Sequence, residues 1–377
     1  MKDYQKKQIK VLLIKTIVFL GICTIVLSSL FFSKYIEKYL NNLNFKFNNE
    51  IANASLRVHF LDVGQGDCTF IELPNGENIM IDTGPVSSIK NVVRYLKVLG
   101  VEEKHSIDYL ILTHTDSDHI GNAKEVISKY NVKNIFIPKV YSNYEVKNNL
   151  DYYDYNIVDT YLWNQTVESI YKNIEINNIN YSFKDVVIES EEFNFSLIFY
   201  TPLDNNFSDS NDYSPVIILN SNDVKYMFVG DISSKTEKNF LDYYSELVSL
   251  NYFDVDVLKI SHHGSKNSTT EDFLMAVKPE VAIISCGKSN SYNHPNNDTI
   301  NRLANVNCKI YRTDITSSIV CVENDRSLYV QTNYQKFLPL YFEWWTVVLT
   351  IIIICFYVIF FVKFEFNKKI KKKNKNR

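Results

Sequence analysis

Two histidines and two aspartates lie within six residues of one another, at His114, Asp116, Asp118 and His119. They follow the apolar run Tyr109–Thr113, which is typical of a buried β-strand. The end of a strand fixes the first side chain, and the loop after it can turn the others toward one point. Imidazole nitrogen and carboxylate oxygen together suit Zn²⁺ or Mn²⁺. A surface ion pair does not explain four such residues at this spacing, so the segment predicts a metal site.

Three further apolar runs end in an acid or a histidine beside a glycine. These residues are Asp82 before Gly84, Asp231 after Gly230, and His262 and His263 before Gly264. Active sites collect at such strand ends, because the sheet is rigid while the loops are free to vary. A turn or a helix cap explains any one of these residues equally well. Taken together, they predict that four segments meet at one centre.

The elements that must position these residues mix strands in hairpins with strand–helix alternation. Strands are predicted at Leu56–Val63, Thr69–Leu73, Asn78–Ile81, Tyr109–Thr113, Phe195–Tyr200, Val216–Leu219, Tyr226–Val229, Val255–Ile260, Val281–Ser285 and Ile319–Val322. Helices are predicted near Ile89–Leu99, Thr236–Val248, Thr270–Val277 and Pro295–Ala304. This mixture predicts an α/β fold in which two sheets pack between helices, an αββα sandwich.

The motifs, in this order, resemble the metallo-β-lactamase superfamily and, within it, the hydrolase domain of the ComEC/Rec2 competence proteins. The matched motifs are D-V-G-Q-G-D at residues 62–67, I-D-T-G at 81–84, H-x-D-x-D-H at 114–119, G-D at 230–231, S-H-H-G-S at 261–265 and N-H-P at 293–295. The resemblance covers about residues 57–325. It implies the metallo-β-lactamase αββα sandwich and a metal-dependent hydrolase.

Carried over residue by residue, the resemblance implies two divalent ions, Zn or Mn. His114 and Asp116 would hold one ion, and Asp118, His119 and His263 the other, while Asp231 would bridge them. Asp118, His262 and His294 are the residues expected to take part in catalysis. His262 would contact a phosphate or donate a proton, although the roles of His262 and His263 could be exchanged. The residues expected to support the ligands are Asp62, Asp67, Asp82, Asn211 and Ser214.

Two departures from the superfamily pattern concern the first metal position. Most members have histidine where this chain has Asp116, and a second histidine where it offers only Asn211 and Ser214. The ComEC-like branch shares both replacements. They leave the first position poorer in nitrogen and richer in oxygen, which favours tolerance of Mn²⁺.

Two adjacent metals lower the pKa of a bridging water and stabilise charge on the attacked group. The expected reaction is therefore phosphodiester hydrolysis by a metal-bound hydroxide, without a covalent enzyme intermediate. Two substrate classes stay open, namely extracellular DNA and the phosphodiesters of teichoic acids or lipid head groups. A non-catalytic binding module is the alternative outside enzymes, but six desolvated ligand-type residues argue against it. β-Lactamase activity does not fit the loss of two histidine ligands.

Apolar runs at both ends of the chain predict membrane anchoring. Residues 11–33 and 342–362 are predicted transmembrane helices, flanked by basic segments 1–10 and 363–377. Lysine and arginine beside a span stay in the cytoplasm, so both termini are expected there. Residues 34–54 would then form a stalk, and residues 55–335 the hydrolase domain, outside the cell membrane. A cleaved signal peptide is the alternative for the first run, but its apolar core is too long for one.

The net charge of −3 hides an uneven distribution. Residues 1–15 carry +4 and residues 363–377 carry +7, which leaves −14 for the rest. An acidic domain argues against a broad surface for duplex DNA, although a metal pocket can bind a single phosphate. Protein partners are not indicated. Cys68, Cys286, Cys308 and Cys321 lack CxxC-type spacing and are predicted to be buried free thiols rather than a disulfide framework.

Residues 140–184 interrupt the regular pattern with a segment rich in Tyr, Asn and Asp. Such insertions form binding loops or lids, or decorate the surface. The aromatic rings could line a box for a cationic head group. Packing is the simpler role and the favoured one.

Overall fold

The structure, a computed structural model, describes residues 55–102, 105–148, 156–173, 176, 178–181, 187–204, 206–324 and 327–332. The chain divides into two units, Met1–Tyr334 and Gln335–Arg377. All the described residues belong to the first unit. The predicted stalk at 34–54 and the predicted spans at 11–33 and 342–362 also lie outside the described residues. In the part of the chain that is described, no helix has the length and hydropathy needed to cross a bilayer.

Short apolar runs form the strands of two mixed sheets. In chain order the described strands are β1 Leu56–Phe60, β2 Thr69–Glu72, β3 Asn78–Ile81, β4 Ser106–Ile111, β5 Asn131–Phe136, β6 Tyr141–Ser142, β7 Ile157–Val158, β8 Asn178–Asn180, β9 Val187–Ser190, β10 Phe195–Phe199, β11 Ile217–Ser221, β12 Val224–Phe228, β13 Val257–Lys259, β14 Val281–Ile284, β15 Lys309–Arg312, β16 Ile319–Asn324 and β17 Ser327–Thr332. The first sheet has the order β17-β16-β1-β2-β3-β4-β5-β8, and the second has the order β15-β14-β13-β12-β11-β10-β9. Strands β6 and β7 form a separate pair.

Each sheet joins an antiparallel half to a parallel half. In the first sheet β1, β2 and β3 form hairpins, and β3, β4, β5 and β8 run parallel. In the second sheet β9 to β12 are antiparallel, and β12 to β15 run parallel. Parallel neighbours end at the same edge, so the residues that follow β3, β4, β12 and β13 can meet.

Helices cover the outer faces of both sheets. The described helices are α1 Ile89–Val98, α2 Ser117–Ile120, α3 Ala123–Lys129, α4 Asn143–Lys147, α5 Tyr161–Lys172, α6 Ser234–Tyr243, α7 Ser245–Ser249, α8 Glu271–Val277, α9 Asn297–Asn305 and α10 Thr313–Thr316. Short 3₁₀ turns lie at Val86–Ser88, Ser210–Tyr213 and Ser261–Gly264. Layers of helix, sheet, sheet and helix agree with the predicted αββα sandwich.

The main core lies between the two sheets. Its rings meet across the interface, with Phe60 against Phe228 at 6.1 Å and Phe136 against Phe199 at 5.4 Å between centroids. Burying an aromatic side chain of this size contributes about 1.5–3 kcal/mol. Two further apolar clusters fill the spaces between each sheet and its helices. This packing holds the strand ends at fixed positions.

The aromatic segment 140–184 packs partly into the fold. Helix α5 buries Trp163, Val167 and Ile170 against the first sheet, and β8 extends that sheet beside β5. The buried carboxylate of Glu145 accepts hydrogen bonds from the Ser142 backbone N–H at 2.8 Å and the Tyr181 hydroxyl at 2.5 Å. These described residues pack against the first sheet, and the predicted roles of the segment in binding or as a lid stay predictions.

The structure also bears on one predicted helix and on the predicted free cysteines. The predicted helix Thr236–Val248 is divided into α6 and α7, because Tyr244 leaves helical geometry at φ −100° and ψ 28°. Its hydroxyl donates a hydrogen bond to the Tyr200 carbonyl at 2.9 Å, and this contact holds the break in place. Cys68, Cys286 and Cys321 are buried free thiols as predicted, while Cys308 is partly exposed and also free.

Candidate metal centre

The carboxyl ends of four parallel strands place the predicted ligands at one edge of the sandwich. Ile81 of β3 pairs with Ile111 of β4, and Phe228 of β12 pairs with Lys259 of β13. The segments that follow these strands supply buried Asp82, His114, His119, Asp231 and His263. Both sheets therefore contribute to the same centre.

Asp82 orients His119. The Nδ1–H of His119 donates to Asp82 Oδ2 at 2.7 Å, and the Thr113 hydroxyl and backbone N–H donate to the same carboxylate at 2.8 Å. A carboxylate on Nδ1 fixes the tautomer and leaves the Nε2 lone pair available to a metal. That Nε2 atom lies 3.3 Å from Asp231 Oδ2 and 3.4 Å from the Nε2 atom of His263.

His263 reaches the same point from the second sheet. Its Nδ1–H donates to the Ser285 carbonyl at 2.9 Å, and its Nε2 lies 3.1 Å from Asp118 Oδ2 and 3.4 Å from Asp231 Oδ2. His262 and His263 both adopt left-handed backbone conformations, with φ of 48° and 54°. Such conformations cost about 1–3 kcal/mol for residues other than glycine. The turn directs the two rings apart, 76° between planes, so that His263 is buried while the His262 side chain is 33% exposed.

His114 is held by hydroxyl groups instead of a carboxylate. Its Nδ1 lies 3.0 Å from Thr113 Oγ1 and 3.2 Å from Ser214 Oγ. Because the Thr113 hydroxyl donates to Asp82, its oxygen accepts the Nδ1–H of His114. The Nε2 atom is then an acceptor, and it is buried without a hydrogen-bond partner. Asp116 lies nearby and accepts a hydrogen bond from Ser210 Oγ at 2.7 Å.

The donor set fits a divalent metal. Within the described residues, ligand atoms of Asp67, His119, Asp231 and His263 all lie within 4.8 Å of one another. His114 Nε2 and Asp231 Oδ1 are buried and unpartnered. A buried acceptor without a partner costs about 1–3 kcal/mol. A cation ligated by imidazole nitrogen and carboxylate oxygen would satisfy these atoms, as Zn²⁺ and Mn²⁺ do with such donors.

Electrostatics at the centre follow from burial and from close opposite charges. Burial lowers the pKa of His263, but Asp231, Asp118 and Asp67 overcome it and raise that pKa to about 10. Burial likewise opposes the ionised carboxylate of Asp231, yet His119 and His263 hold its pKa well below the usual range. Burial and the neighbouring His119 lower the pKa of His114. A metal must displace protons from this site, because imidazole ligands bind metals in the neutral form.

The predicted substrate-facing histidines border the cluster. His262 Nε2 lies 3.9 Å from Asp231 Oδ2, and the ring of His294 lies 5.5 Å from that of His262. Burial, together with His263 and His262, lowers the pKa of His294 to about 4, so its ring is neutral at pH 7. The exposed ring of Tyr292 stacks on His294 at 5.7 Å. Asn290 shapes this loop by accepting the backbone N–H groups of Tyr292 and His294.

The predicted supporting residues divide into two groups. Asp82, Asp67 and Ser214 contact ligand residues directly, and Ser214 Oγ also accepts the Asp231 backbone N–H at 3.2 Å. Asp62 instead accepts from the Gly64 N–H at 3.2 Å and the Ser317 hydroxyl at 3.3 Å, in the loop after β1. Asn211 lies in the 3₁₀ turn between Ser210 and Ser214, where its N–H donates to Asp209 Oδ1.

Three residues that support the site were not predicted from the sequence. Thr113 links Asp82 to His114, and the Asn122 amide donates to the Thr83 and Pro85 carbonyls at 2.9 and 2.8 Å beneath the metal-binding loop. Lys259 lies 2.7 Å from Asp67 Oδ2. A lysine inside the apolar run Val255–Ile260 was the available signal, since an unpaired charge is rarely buried.

Comparison with known proteins places these features in a family. The family model described as the metallo-beta-lactamase superfamily matches residues 61–288. ComE operon protein 3 of Bacillus subtilis is 27% identical over 279 residues, 70% of this chain and 32% of that protein. Recombination protein 2 of Haemophilus influenzae is 27% identical over 295 residues, 78% of this chain and 32% of that protein. Among solved structures, the metallo-beta-lactamase fold protein YhfI from Bacillus subtilis has a TM-score of 0.40 and 10% identity, covering 71% of this chain and 98% of that chain.

This chain spans about a third of the length of the curated relatives that it matches. The match to the family model includes the strand ends, the H-x-D-x-D-H box and the histidine turn after β13. The chain belongs to the metallo-β-lactamase superfamily, in general a family of metal-dependent hydrolases, and its domain is of the ComEC/Rec2 type.

Proposed function

We propose that this protein is a dinuclear metal hydrolase that cleaves phosphodiester bonds outside the cytoplasmic membrane. The observation that supports this most strongly is the convergence of two buried imidazoles on one carboxylate. The Nε2 atoms of His119 and His263 lie 3.4 Å apart, and both lie within 3.4 Å of Asp231 Oδ2. Such an arrangement costs free energy in the absence of a cation, which argues for a metal-binding role.

We assign two metal positions to the ligand sets that the family resemblance implies. Asp118, His119 and His263 would hold one ion, and His114 and Asp116 the other. Asp231 Oδ2 faces the first of these groups, and its buried Oδ1 is left without a partner. A carboxylate with one committed oxygen and one free oxygen is suited to bridge two cations, which supports the bridging role of Asp231.

The chain's own residues would prepare the substrate and the leaving group. When bound, the metals supply Lewis acidity and lower the pKa of coordinated water. Asp82 keeps His119 in the ligating tautomer, so no reorganisation is needed during the reaction. His262, partly exposed beside Asp231, is placed to contact a phosphoryl oxygen or to protonate the departing oxygen.

Two observations bear on the substrate class. Relatives are named ComE operon protein 3, Recombination protein 2 and Competence protein ComA. These names connect those proteins with competence and recombination, which favours a nucleic-acid phosphodiester here. The charge of −14 between the basic ends of the chain favours phosphodiesters of teichoic acids or lipid head groups instead of duplex DNA.

Metal analysis and activity on the same sample test the proposal. The full chain, purified in detergent, is expected to bind about two equivalents of Zn or Mn and to hydrolyse bis(p-nitrophenyl) phosphate. His119→Ala should abolish turnover and lower the bound metal. His105→Ala removes an exposed imidazole of the same domain and should change neither. Relative rates on single-stranded DNA and on a phosphocholine ester identify the substrate class, and a wild-type protein without metal or turnover refutes the hydrolase.

A further inference from the structure

A buried ion pair lies directly behind the metal centre. Lys259 at the end of β13 is 2% exposed and Asp67 is 5% exposed, with 2.7 Å between Nζ and Oδ2. Lys259 Nζ also donates to the Ile260 carbonyl at 2.9 Å. Burying two charges costs desolvation energy that their attraction does not reliably recover, so such a pair is weak evidence for stability alone. Its position next to the ligands therefore needs a further explanation.

Asp67 contacts two of the segments that carry ligands. Its backbone N–H donates to the Asp118 carbonyl at 3.2 Å, and its Oδ1 lies 3.3 Å from His263 Nδ1. The approach to Asp118 requires glycine at position 66, because a Cβ there would lie 2.2 Å from the Asp118 carbonyl oxygen. The loop that carries Asp67 is thus closely fitted to the metal-binding loop, and Asp67 Oδ1 lies beside the His263 N–H that donates to the Ser285 carbonyl.

We propose that Asp67, anchored by Lys259, is a positioning residue that holds His263 with its Nε2 atom directed at the metal. This inference rests on the metal-binding function proposed above. The Ser285 carbonyl accepts the Nδ1–H of His263 and fixes its tautomer, while the buried Asp67 Oδ1 lies beside that N–H and makes no hydrogen bond of its own. Its negative charge there strengthens Nε2 as a donor, and removal of such a partner of a ligating histidine typically weakens metal binding about 10–100-fold. His119 receives a carboxylate partner more directly, because its Nδ1–H donates to Asp82 at 2.7 Å. His114 has only the hydroxyls of Thr113 and Ser214, so the effect belongs to one of the two metal positions.

Lys259 explains why Asp67 positions a ligand and does not bind the metal itself. The carboxylate lies close enough to His119, Asp231 and His263 to compete for a cation. The ammonium of Lys259 holds Oδ2 and neutralises the charge, which leaves Oδ1 to face His263. Asp67 therefore stays behind the imidazole.

Metal titration of the full chain tests this role. Mn²⁺ or Zn²⁺ is titrated into the metal-free protein against a chromophoric chelator, so that each binding step has its own Kd. Asp67→Asn should weaken one step about 10–100-fold and leave the number of bound metals unchanged. The matched control is Asp108→Asn, which removes another carboxylate that is 5% exposed and paired with a lysine, Lys133, at 2.6 Å. The control should leave both Kd values unchanged.

The outcomes separate positioning from ligation and from simple stabilisation. Loss of one metal equivalent in Asp67→Asn would make Asp67 a ligand and overturn the proposal. Unchanged Kd values with a weaker metal-free fold, measured by urea unfolding, would reduce the pair to a structural role. Asp67→Glu keeps the charge opposite Lys259 and moves the carboxylate by one methylene, so it should weaken the same step by a smaller factor and decides the question if Asp67→Asn does not fold. A wild-type protein that binds no metal would instead refute the proposed function.

Discussion

At the scale of single residues, the histidines of the centre differ in the group that contacts their Nδ1 atom. His119 has a carboxylate behind it at 2.7 Å, whereas His114 has the neutral hydroxyls of Thr113 and Ser214. A charged partner makes an imidazole a stronger donor, so the two metal positions should differ in affinity. The same comparison distinguishes His262 from His263, because His263 alone of the two is buried with Nδ1 bound to a carbonyl.

Substitution of the adjacent histidines, His262 and His263, should affect catalysis and metal binding separately. His263→Ala is expected to lose bound metal, since its Nε2 atom lies among Asp118, His119 and Asp231. His262→Ala should keep its metal and lower kcat about 10²–10⁴-fold, as expected for loss of a group that transfers a proton. Elemental analysis and steady-state kinetics on the two variants measure both effects. If His262→Ala lost its metal while His263→Ala kept it, the assignment would have to be reversed.

The sequence predicts which residues are of ligand type, but not the contacts that hold them in place. Ligand-type residues that follow apolar strands were recognisable because their type and spacing are local properties. The contacts of Thr113, Lys259 and Ser285 depend on which strands become neighbours, and nothing within either segment encodes that. His262 and His263 could not be told apart for the same reason, because the left-handed turn that separates their rings forms only in the folded protein.

At the scale of elements, most inner strands were predictable, but the inner strand β5 and the edge strands β8, β9, β15 and β17 were not. Strand β5 has no continuous apolar run, since three of its six residues are only partly buried. Runs such as Val281–Ile284 are buried along their whole length, which produces an uninterrupted apolar signal. Strand β8 reads Asn-Ile-Asn, and β17 alternates exposed and half-buried residues, so neither has a strong signal of its own. Both pair because a neighbouring strand offers free backbone groups at the sheet edge. Tertiary context therefore overrides weak strand propensity at these positions.

Helix α5 provides a test of packing within the aromatic segment. Trp163 is completely buried against the first sheet, whereas Tyr161 on the same helix is 80% exposed. Trp163→Ala should lower the free energy of unfolding by about 3–5 kcal/mol, because it leaves a large cavity. Tyr161→Ala should change it by no more than about 0.5 kcal/mol. Urea unfolding followed by circular dichroism measures both, and equal effects of the two substitutions would contradict the described packing.

Glu237 on α6 connects that helix to the start of α8 and predicts a pH dependence of stability. Its carboxylate accepts the backbone N–H groups of Thr269 and Thr270. Burial raises the pKa of Glu237 to about 6 from the ordinary 4.5, although these N–H groups and Arg302 oppose the rise. The folded protein thus binds the proton more tightly than the unfolded chain does. This stabilisation is fully present below pH 4.5 and is lost as the pH rises through about 6.

A Glu237→Gln variant isolates this contribution, because its side chain does not ionise. Relative to the wild type, the variant should gain about 2 kcal/mol in free energy of unfolding between pH 4.5 and pH 7. Taking the difference between the two proteins at each pH cancels the other titrating groups. Unfolding curves in urea at both pH values provide the measurement. Parallel pH profiles would mean that the Glu237 carboxyl does not change its pKa on folding.

At the scale of the whole molecule, charge and hydropathy are segregated along the chain, and this supports the proposed anchoring. Basic segments flank two apolar runs, and the residues between them carry −14. Lysine and arginine next to a span resist translocation, whereas an acidic domain does not. A chain anchored at both ends would keep the hydrolase close to substrates at the outer face of the membrane. The relatives are about three times longer, so the anchoring of this chain needs its own test.

Labelling of single cysteines in intact cells tests the proposed topology. Leu250 is 74% exposed on the surface of the domain, so a Leu250→Cys variant should react with a membrane-impermeant maleimide added outside. Lys2→Cys and Lys375→Cys, placed in the two basic ends, should react only after the cells are lysed, because the positive flanks keep both ends in the cytoplasm. All three variants are made in a Cys308→Ser background, because Cys308 is partly exposed, whereas Cys68, Cys286 and Cys321 are buried. Labelling of Lys375→Cys in intact cells would place the carboxyl end outside and contradict the two-span arrangement. A domain labelled only after lysis would move the hydrolase, and with it the choice of substrate, to the cytoplasm.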